Sequence, residues 1–357
     1  MDVTTPEAGR LHAARLDPAR LRIGLVFALA SAISFGLSGP LARVLIDAGW
    51  TPGAAVAVRV LGAALVLTVP ALLALRGRWH LLGRNLKLIA GYGFLAVAAT
   101  QLCYFYAVSE ISVAVALLIE YTAPAAVVLW LWLRHGQRPG RRTLLGTLIA
   151  AAGLVLVLDL LGGAPTLTLP GVLWAFGAML GLASFFILSA DERSGLPPLV
   201  LVWSGLTLGG LVLALAGAVG VLPWEWNTAD VTFASGQWQV PWWVPLAGLA
   251  LITAALAYWT GVEAARKLGS RLASFLGLTE VLAGMLYAWV LLHELPLPLQ
   301  LVGGVLIIAG VVLVRLGEDR IVTRPRAASS LSGGRAAEAP YTRSAAEPPE
   351  GSDPGRS

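Results

Sequence analysis

The stretch "RPGRRTLLGTLIAAAGLVLV", residues 138–157, returns in altered form as "LPLPLQLVGGVLIIAGVVLV", residues 295–314. Moved by 157 residues, the chain aligns with itself without a gap, 101–157 over 258–314. Ala107 falls on Ala264, Ala116 on Ala273, Trp132 on Trp289 and Pro139 on Pro296. Gly146 and Gly153 fall on Gly303 and Gly310. The starts of the two halves match more loosely: "GLVFALASAISFG" resembles "GVLWAFGAMLGLA". Each glycine pair is spaced by seven residues and so lies on one helical face. Small residues there let helices approach closely in a membrane.

The repeat is written in apolar residues. The 357-residue chain is 57% hydrophobic and 13% charged, against about 25% charged in soluble domains. Its apolar runs are long enough to cross the bilayer as helices. They are continuous rather than alternating, which argues against a β-barrel. The expected fold is an all-α integral membrane protein of ten transmembrane helices. The spans are read at about 23–45, 53–75, 88–108, 112–133, 143–161, 170–190, 197–220, 243–265, 271–292 and 298–316.

Charge orders these spans. Arg76, Arg78, Arg84 and Lys87 fill the 2–3 loop, and Arg134, Arg138, Arg141 and Arg142 the 4–5 loop. Arg193 marks the 6–7 loop, and Arg266, Lys267 and Arg271 the 8–9 loop. The alternate loops carry no Lys or Arg. The positive-inside rule then places both termini in the cytoplasm of a multi-pass plasma-membrane protein. The net charge of +5 is read as topology, not as a nucleic-acid footprint. The first span lacks a convincing small-residue cleavage site and is read as a retained helix. The Trp-rich 7–8 loop, "VLPWEWNTADVTFASGQWQVPWW", is expected outside. Its tryptophans read as interfacial anchors, with a ligand-binding lid as the sharper alternative.

Five spans per half is an odd number, so the second copy must enter the membrane upside down. The 9–10 loop, "HELP", accordingly lacks the arginines of its 4–5 counterpart. The expected architecture is two five-helix inverted repeats, as in many secondary transporters, with substrate near the midplane between halves. Duplication for assembly alone is the plainer alternative. Cys103 is the single cysteine, and the histidines at 12, 80, 135 and 293 are scattered. No metal site and no cofactor is expected. No GxxxxGK[ST] loop supports a primary pump.

Against this background a few polar residues stand out. Glu120 lies inside "ALLIEYTAPAAVVLWLWL", residues 116–133. An ionised acid at the midplane costs roughly 3 kcal/mol or more. Glu120 is therefore a candidate proton carrier or ligand for a substrate amine, or a neutral acid bonded to a neighbouring helix. Pro124 has no N–H for the Glu120 carbonyl, so a helix break is expected there. Glu280 is the comparable acid of the second half, with Gly284 and Tyr287 on the same helical face. Arg59, in "GAAVAVRVLGAALVLTV", either meets an acid or a substrate carboxylate, or snorkels outward. Ser31, Ser34 and Ser38 form a polar stripe before Pro40, which packs on a helix or lines a pore. Gln101, Tyr104 and Tyr258 are weaker pocket candidates. Arg43 reads as interfacial, and Glu263 as salt-bridged near Arg266 and Lys267.

The span order, the double repeat and the closing "LLHELPLPLQLVGGVLIIAGVVLV" resemble the EamA type of the drug/metabolite transporter superfamily. "PGAAVAVRVLGAALVL" is similar to that family's second-span Arg pattern. The resemblance covers residues 22–161 and 169–317, between a cytoplasmic arm at 1–21 and a disordered cytoplasmic tail at 318–357. It implies a secondary carrier, often an exporter of amino acids or other small metabolites, with a cavity formed by spans 1–4 and 6–9. The chain has Gln137 where the repeat has Glu294, and Val281 where a proline is usual. Helix breaking is therefore expected in the first half more than in the second.

The combined reading is an alternating-access exporter of small polar metabolites, proton-linked or facilitative, and not an enzyme. Its partners are a small-molecule substrate, protons and the lipid bilayer, without nucleic acid; a homodimer is compatible with it. A multidrug exporter and a membrane-embedded enzyme acting on lipid-linked substrates are the alternatives. The latter lacks a compact catalytic cluster.

Overall fold

The computed structural model describes residues 18–111, 113–158, 168–233, 238–293 and 295–321. The N-terminal arm up to residue 17, Glu294 and everything after 321 lie outside the described residues. Helices α1 (Pro18–Gly36) and α2 (Ser38–Asp47) follow one another across Leu37, and α3 spans Pro52–Ala74. A short α4 (His80–Arg84) leads into α5 (Leu86–Gly91), a π-helical segment Tyr92–Ala99 and α6 (Thr100–Glu110). Then come α7 (Val113–Glu120), α8 (Ala123–His135) and α9 (Arg141–Val157).

The second half opens with α10 (Leu169–Ser189) and α11 (Pro198–Ala218). After a hairpin, α12 (Trp243–Ala250) passes through a π-helical segment Leu251–Leu256 into α13 (Ala257–Gly277). Helices α14 (Thr279–Leu292) and α15 (Pro298–Ile321) complete it. Helix α15 thus runs beyond Glu318, where the tail was expected to begin.

Eight helical runs among the described residues are long and apolar enough to cross a bilayer. The difference from ten has a geometric cause. Helix α9 has 17 residues and α14 has 14, both short of a full crossing on their own. The run Trp243–Gly277 counts once, although Gly269 interrupts it at φ 80° and ψ 159°. That conformation is essentially open only to glycine.

Local chemistry sets the ends. Proline opens α3, α11 and α15, where its missing N–H is not needed. The Thr168 hydroxyl caps α10 by accepting from the Gly171 N–H at 3.2 Å. Gly136 ends α8 in the left-handed region at φ 66°, and His293, its equivalent in the repeat, ends α14 there at φ 57°.

Large apolar side chains face outward: Leu65, Leu133, Leu148, Leu215 and Val305 are all more than 60% exposed. In water such a belt is unfavourable; against lipid tails it is the solvated surface. Inside, small residues dominate the contacts, with Ala54, Ala57, Ala63, Ala98 and Ala107 fully buried. Helix α1 packs on α13, α10 on α6, and α3 on α11. Helices α9 and α15 pack antiparallel. A Cβ on Gly146 would stand 2.6 Å from the Gly310 carbonyl, and one on Gly153 2.6 Å from the Gly303 carbonyl. The reciprocal approaches, Gly310 to Gly146 and Gly303 to Gly153, are equally close.

The long Trp-rich connection is folded. Strands β1 (Val231–Phe233) and β2 (Trp238–Val240) form an antiparallel hairpin. Val231 and Phe233 are buried in a cluster with Leu41, Leu45, Trp50 and Leu249. The Trp50 indole donates to the Asn227 carbonyl at 2.6 Å and stacks on Trp242. Trp226, Trp238 and Trp243 remain exposed.

Candidate functional site

Two helix breaks at matched positions of the repeat make the frame of the site. In the first half the helix stops at Glu120 and restarts at Ala123. In the second it stops at Gly277 and restarts at Thr279. Pro124 sits in the first turn of α8, a position that tolerates proline, and cannot donate to the Glu120 carbonyl. The second break forms without proline. A threonine marks each: the Thr122 hydroxyl donates to the Ile119 carbonyl at 2.6 Å, and the Thr279 hydroxyl to the Leu276 carbonyl at 2.6 Å. Both residues are related by the same shift of 157. Such local bonds offer the backbone an alternative to the helical ladder. The expectation of one-sided helix breaking is therefore corrected: Val281 does not restore the helix, because the turn lies at Leu278–Thr279 ahead of it.

Glu120 closes α7 and Glu280 lies in the first turn of α14, so the two breaks present one carboxyl each. Both side chains are half-buried and close enough to act on one another electrostatically. The Tyr121 hydroxyl is within hydrogen-bonding reach of Glu280. Tyr104, half-buried on α6, feels both carboxylates. Tyr258, 4% exposed on α13, is within hydrogen-bonding reach of Gln101.

Arg59 is buried on α3 and close enough to Glu280 and Tyr258 to interact with both charges. Its Nη1 donates to the Ser38 hydroxyl at 2.8 Å, and its Nη2 to the Thr253 carbonyl at 3.2 Å. Thr253 lies in the π-helical segment, which re-aims backbone carbonyls relative to an α-helix. Among the described residues the Arg59 Nε has no hydrogen-bond partner. A small, largely apolar pocket borders Arg59, lined also by Ala42, Ile46, Pro52, Val56, Phe105 and Leu249.

From the central cluster a series of aromatic rings packs toward the arginine-rich loops. Phe35 meets Tyr258 edge-on at 5.0 Å, Phe185 meets Tyr258 at 5.6 Å, and Tyr92 lies 6.0 Å from Phe185. Arg20 pairs with Glu192 and donates to the Arg266 carbonyl at 2.8 Å, tying α1, the α10–α11 loop and α13 together.

Not every expected residue joins this group. Among the described residues, no hydrogen bond, ion pair or ring contact links Tyr287 to it. Tyr287 stands two helical turns, about 10 Å, beyond Glu280. Ser34 is buried on α1, while Ser31 donates to the Ala257 carbonyl at 2.8 Å, a packing contact. Gly284 meets Gly36 where α14 crosses α1. Arg43 pairs with Asp47 at 3.1 Å, and Glu263 with Lys267 at 2.7 Å. The site also holds residues that were not singled out. Tyr121, Thr122, Thr253 and Thr279 read as ordinary members of apolar runs. The one available signal was Thr122 over Thr279 in the repeat.

The EamA-like transporter family matches the chain twice, over residues 22–159 and 169–316. The chain belongs to that family. An uncharacterized transporter of Archaeoglobus fulgidus is 30% identical over 235 residues, covering 64% of this chain and 76% of the relative. A solved crystal structure superposes with a TM-score of 0.67 at 19% identity, over 85% of this chain and 98% of that one. That likeness speaks for the fold. For this EamA-like transporter, the matched segments are the two repeats whose breaks carry Glu120 and Glu280.

Proposed function

We propose that this EamA-like transporter is a secondary carrier exporting small polar metabolites, amino acids foremost, by alternating access between two inverted five-helix halves. One observation carries the reading: two matched helix breaks bring Glu120 from one half and Glu280 from the other to a cluster shared with Arg59. With both acids ionised the cluster holds two negative charges and one positive. In a low-dielectric interior that excess is costly. A proton or a substrate ammonium removes it, and either occupant suffices. Mutual exclusion of proton and ammonium is the basis of coupled exchange. Arg59, whose buried Nε lacks a partner among the described residues, is the group we assign to a substrate carboxylate.

The antiparallel α9–α15 contact supports the inverted arrangement. Equivalent helices meet there through the same glycines in both directions, as a two-fold axis in the membrane plane would require. On this reading α9 and α14 complete a set of ten spans. The arginine-rich loops lie in the cytoplasm together with both chain ends. The pocket at Arg59 opens near Pro52, at the other face. On this reading the aromatic rings and the Arg20–Glu192 pair lie on the cytoplasmic side of the carboxyl cluster.

The test is proton movement in sealed proteoliposomes as pooled amino acids are added. Wild type is expected to move protons with substrate. Glu280→Gln, and Glu120→Gln beside it, are expected to lower that flux at least tenfold. Full flux in both variants would remove the acids from the mechanism.

A further inference from the structure

Arg59 is held at two points. Its Nη1 donates to the Ser38 hydroxyl at 2.8 Å and its Nη2 to the Thr253 carbonyl at 3.2 Å. A guanidinium can only donate, so the Ser38 oxygen accepts. The Ser38 proton then turns to the Thr253 hydroxyl, at 3.4 Å. Thr253 in turn donates to the Leu249 carbonyl at 2.9 Å. Each hydroxyl proton has its own acceptor, so the chain from Arg59 through Ser38 and Thr253 to Leu249 runs in one direction. Arg59 and Thr253 are both buried, and hydrogen bonds shielded from water in this way are strong ones.

The chain joins elements far apart in sequence. Arg59 belongs to α3 and Ser38 opens α2, while Thr253 lies in the π-helical segment of the second half. Ser38 owes its place to the interruption between α1 and α2 at Leu37. Pro40 has no N–H for the Gly36 carbonyl, which favours a break there. On the near side of that break Gly36 lies against α14. A Cβ on Gly36 would stand 2.9 Å from the Glu280 carbonyl and 2.7 Å from the Gly284 N. One short break therefore meets the backbone of Glu280 through Gly36 and the side chain of Arg59 through Ser38. Arg59 and Leu249, the two ends of the hydrogen-bond chain, line the same small pocket.

We propose that Ser38 and Thr253 are positioning residues for Arg59: they fix its guanidinium beside the pocket for a substrate carboxylate, and so set the preference for amino acids over amines. The proposal rests on the carrier reading above, in which Arg59 takes the carboxylate. An arginine already held by two bonds loses less rotamer freedom when substrate binds. Its guanidinium has N–H groups beyond the two used here, enough for a carboxylate. Neither hydroxyl needs to touch substrate; each acts through the arginine.

The test is calorimetric titration of purified full-length protein in detergent. Each standard amino acid is titrated into wild type, and the tightest binder and its decarboxylated amine serve as probes. Ser38→Ala is expected to weaken amino-acid binding by about fivefold or more and to leave the amine unchanged. Ser38→Thr keeps a hydroxyl and is expected to restore the affinity. In an Arg59→Met background Ser38→Ala is expected to change neither ligand further. Thr253→Val removes the hydroxyl and keeps the carbonyl; it should show the same pattern with a smaller loss, and it replaces Ser38→Ala if that variant does not fold. An equal loss for the amine would overturn the proposal, because it marks a packing defect. So would a further loss of amino-acid binding in the Arg59→Met background, which would mean that Ser38 itself meets substrate. Unchanged affinities in Ser38→Ala and Thr253→Val, with Arg59→Met impaired, would overturn this proposal alone. Failure of the carrier reading has its own signature: Arg59→Met would bind the amino acid as wild type does, or no amino acid would bind wild type, and the proposal would fall with it.

Discussion

Arg59 shows how far a single residue could be read from its neighbours in sequence. Its apolar surroundings marked it as unusual, but left snorkelling and pairing equally open. The structure has it buried, donating to Ser38 and to the Thr253 carbonyl. Neither partner was legible, because one lies 21 residues before it and the other 194 after it. Tyr121 was hidden for the same reason: only folding places its hydroxyl beside Glu280, 159 positions away in sequence. If Arg59 binds a substrate carboxylate, Arg59→Met removes a charge-assisted hydrogen bond of roughly 1.5–3 kcal/mol. Amino-acid affinity should then fall by about tenfold or more, with binding of the matching amine unchanged. Isothermal titration with both ligands checks this. An equal loss for the amine would point to a general packing defect.

At the scale of elements, the repeat proved more faithful in backbone than in residue type. Each half has a π-helical segment, a break after it, a half-helix, a second break and a left-handed helix end. The second-half features fall at Leu251–Leu256, Gly269, Leu278 and His293. Proline was an incomplete guide, since Thr279 and Leu278 turn the chain without one. Gly269 was visible only as one glycine among many. Its φ of 80° and ψ of 159° identify it as the hinge between the long helix and the half-helix leading to Glu280. A Cβ there would meet nothing within 4 Å, so the cost of Gly269→Ala is purely conformational. It should destabilise the protein by about 1–3 kcal/mol, read as a lowered Tm in detergent. An unchanged Tm would mean that the chain relaxes into another conformation at this point.

For the whole molecule, the proposed inversion can be tested at two equivalent residues. Arg138 and Leu295 are related by the 157-residue shift and lie in the loops before α9 and α15. With Cys103→Ser as background, Arg138→Cys should react with a membrane-impermeant thiol reagent only after the cells are opened. Leu295→Cys should react in intact cells. Labelling from the same side would rule out inverted halves. Hydropathy and loop charge are local properties, set by the free energy of transferring each segment into lipid. For that reason the chain itself determined the membrane class, the apolar segments and their repetition, and the isolated acids and arginine within them. Which of these residues meet depends on packing between segments far apart in the chain. Only the tertiary structure decided that Glu120 and Arg59 both come near Glu280 while Tyr287 stands apart, that a second helix break needs no proline, and that the Trp-rich connection folds onto Trp50. Those outcomes follow from backbone geometry and close contacts, which a pattern of apolar residues does not encode.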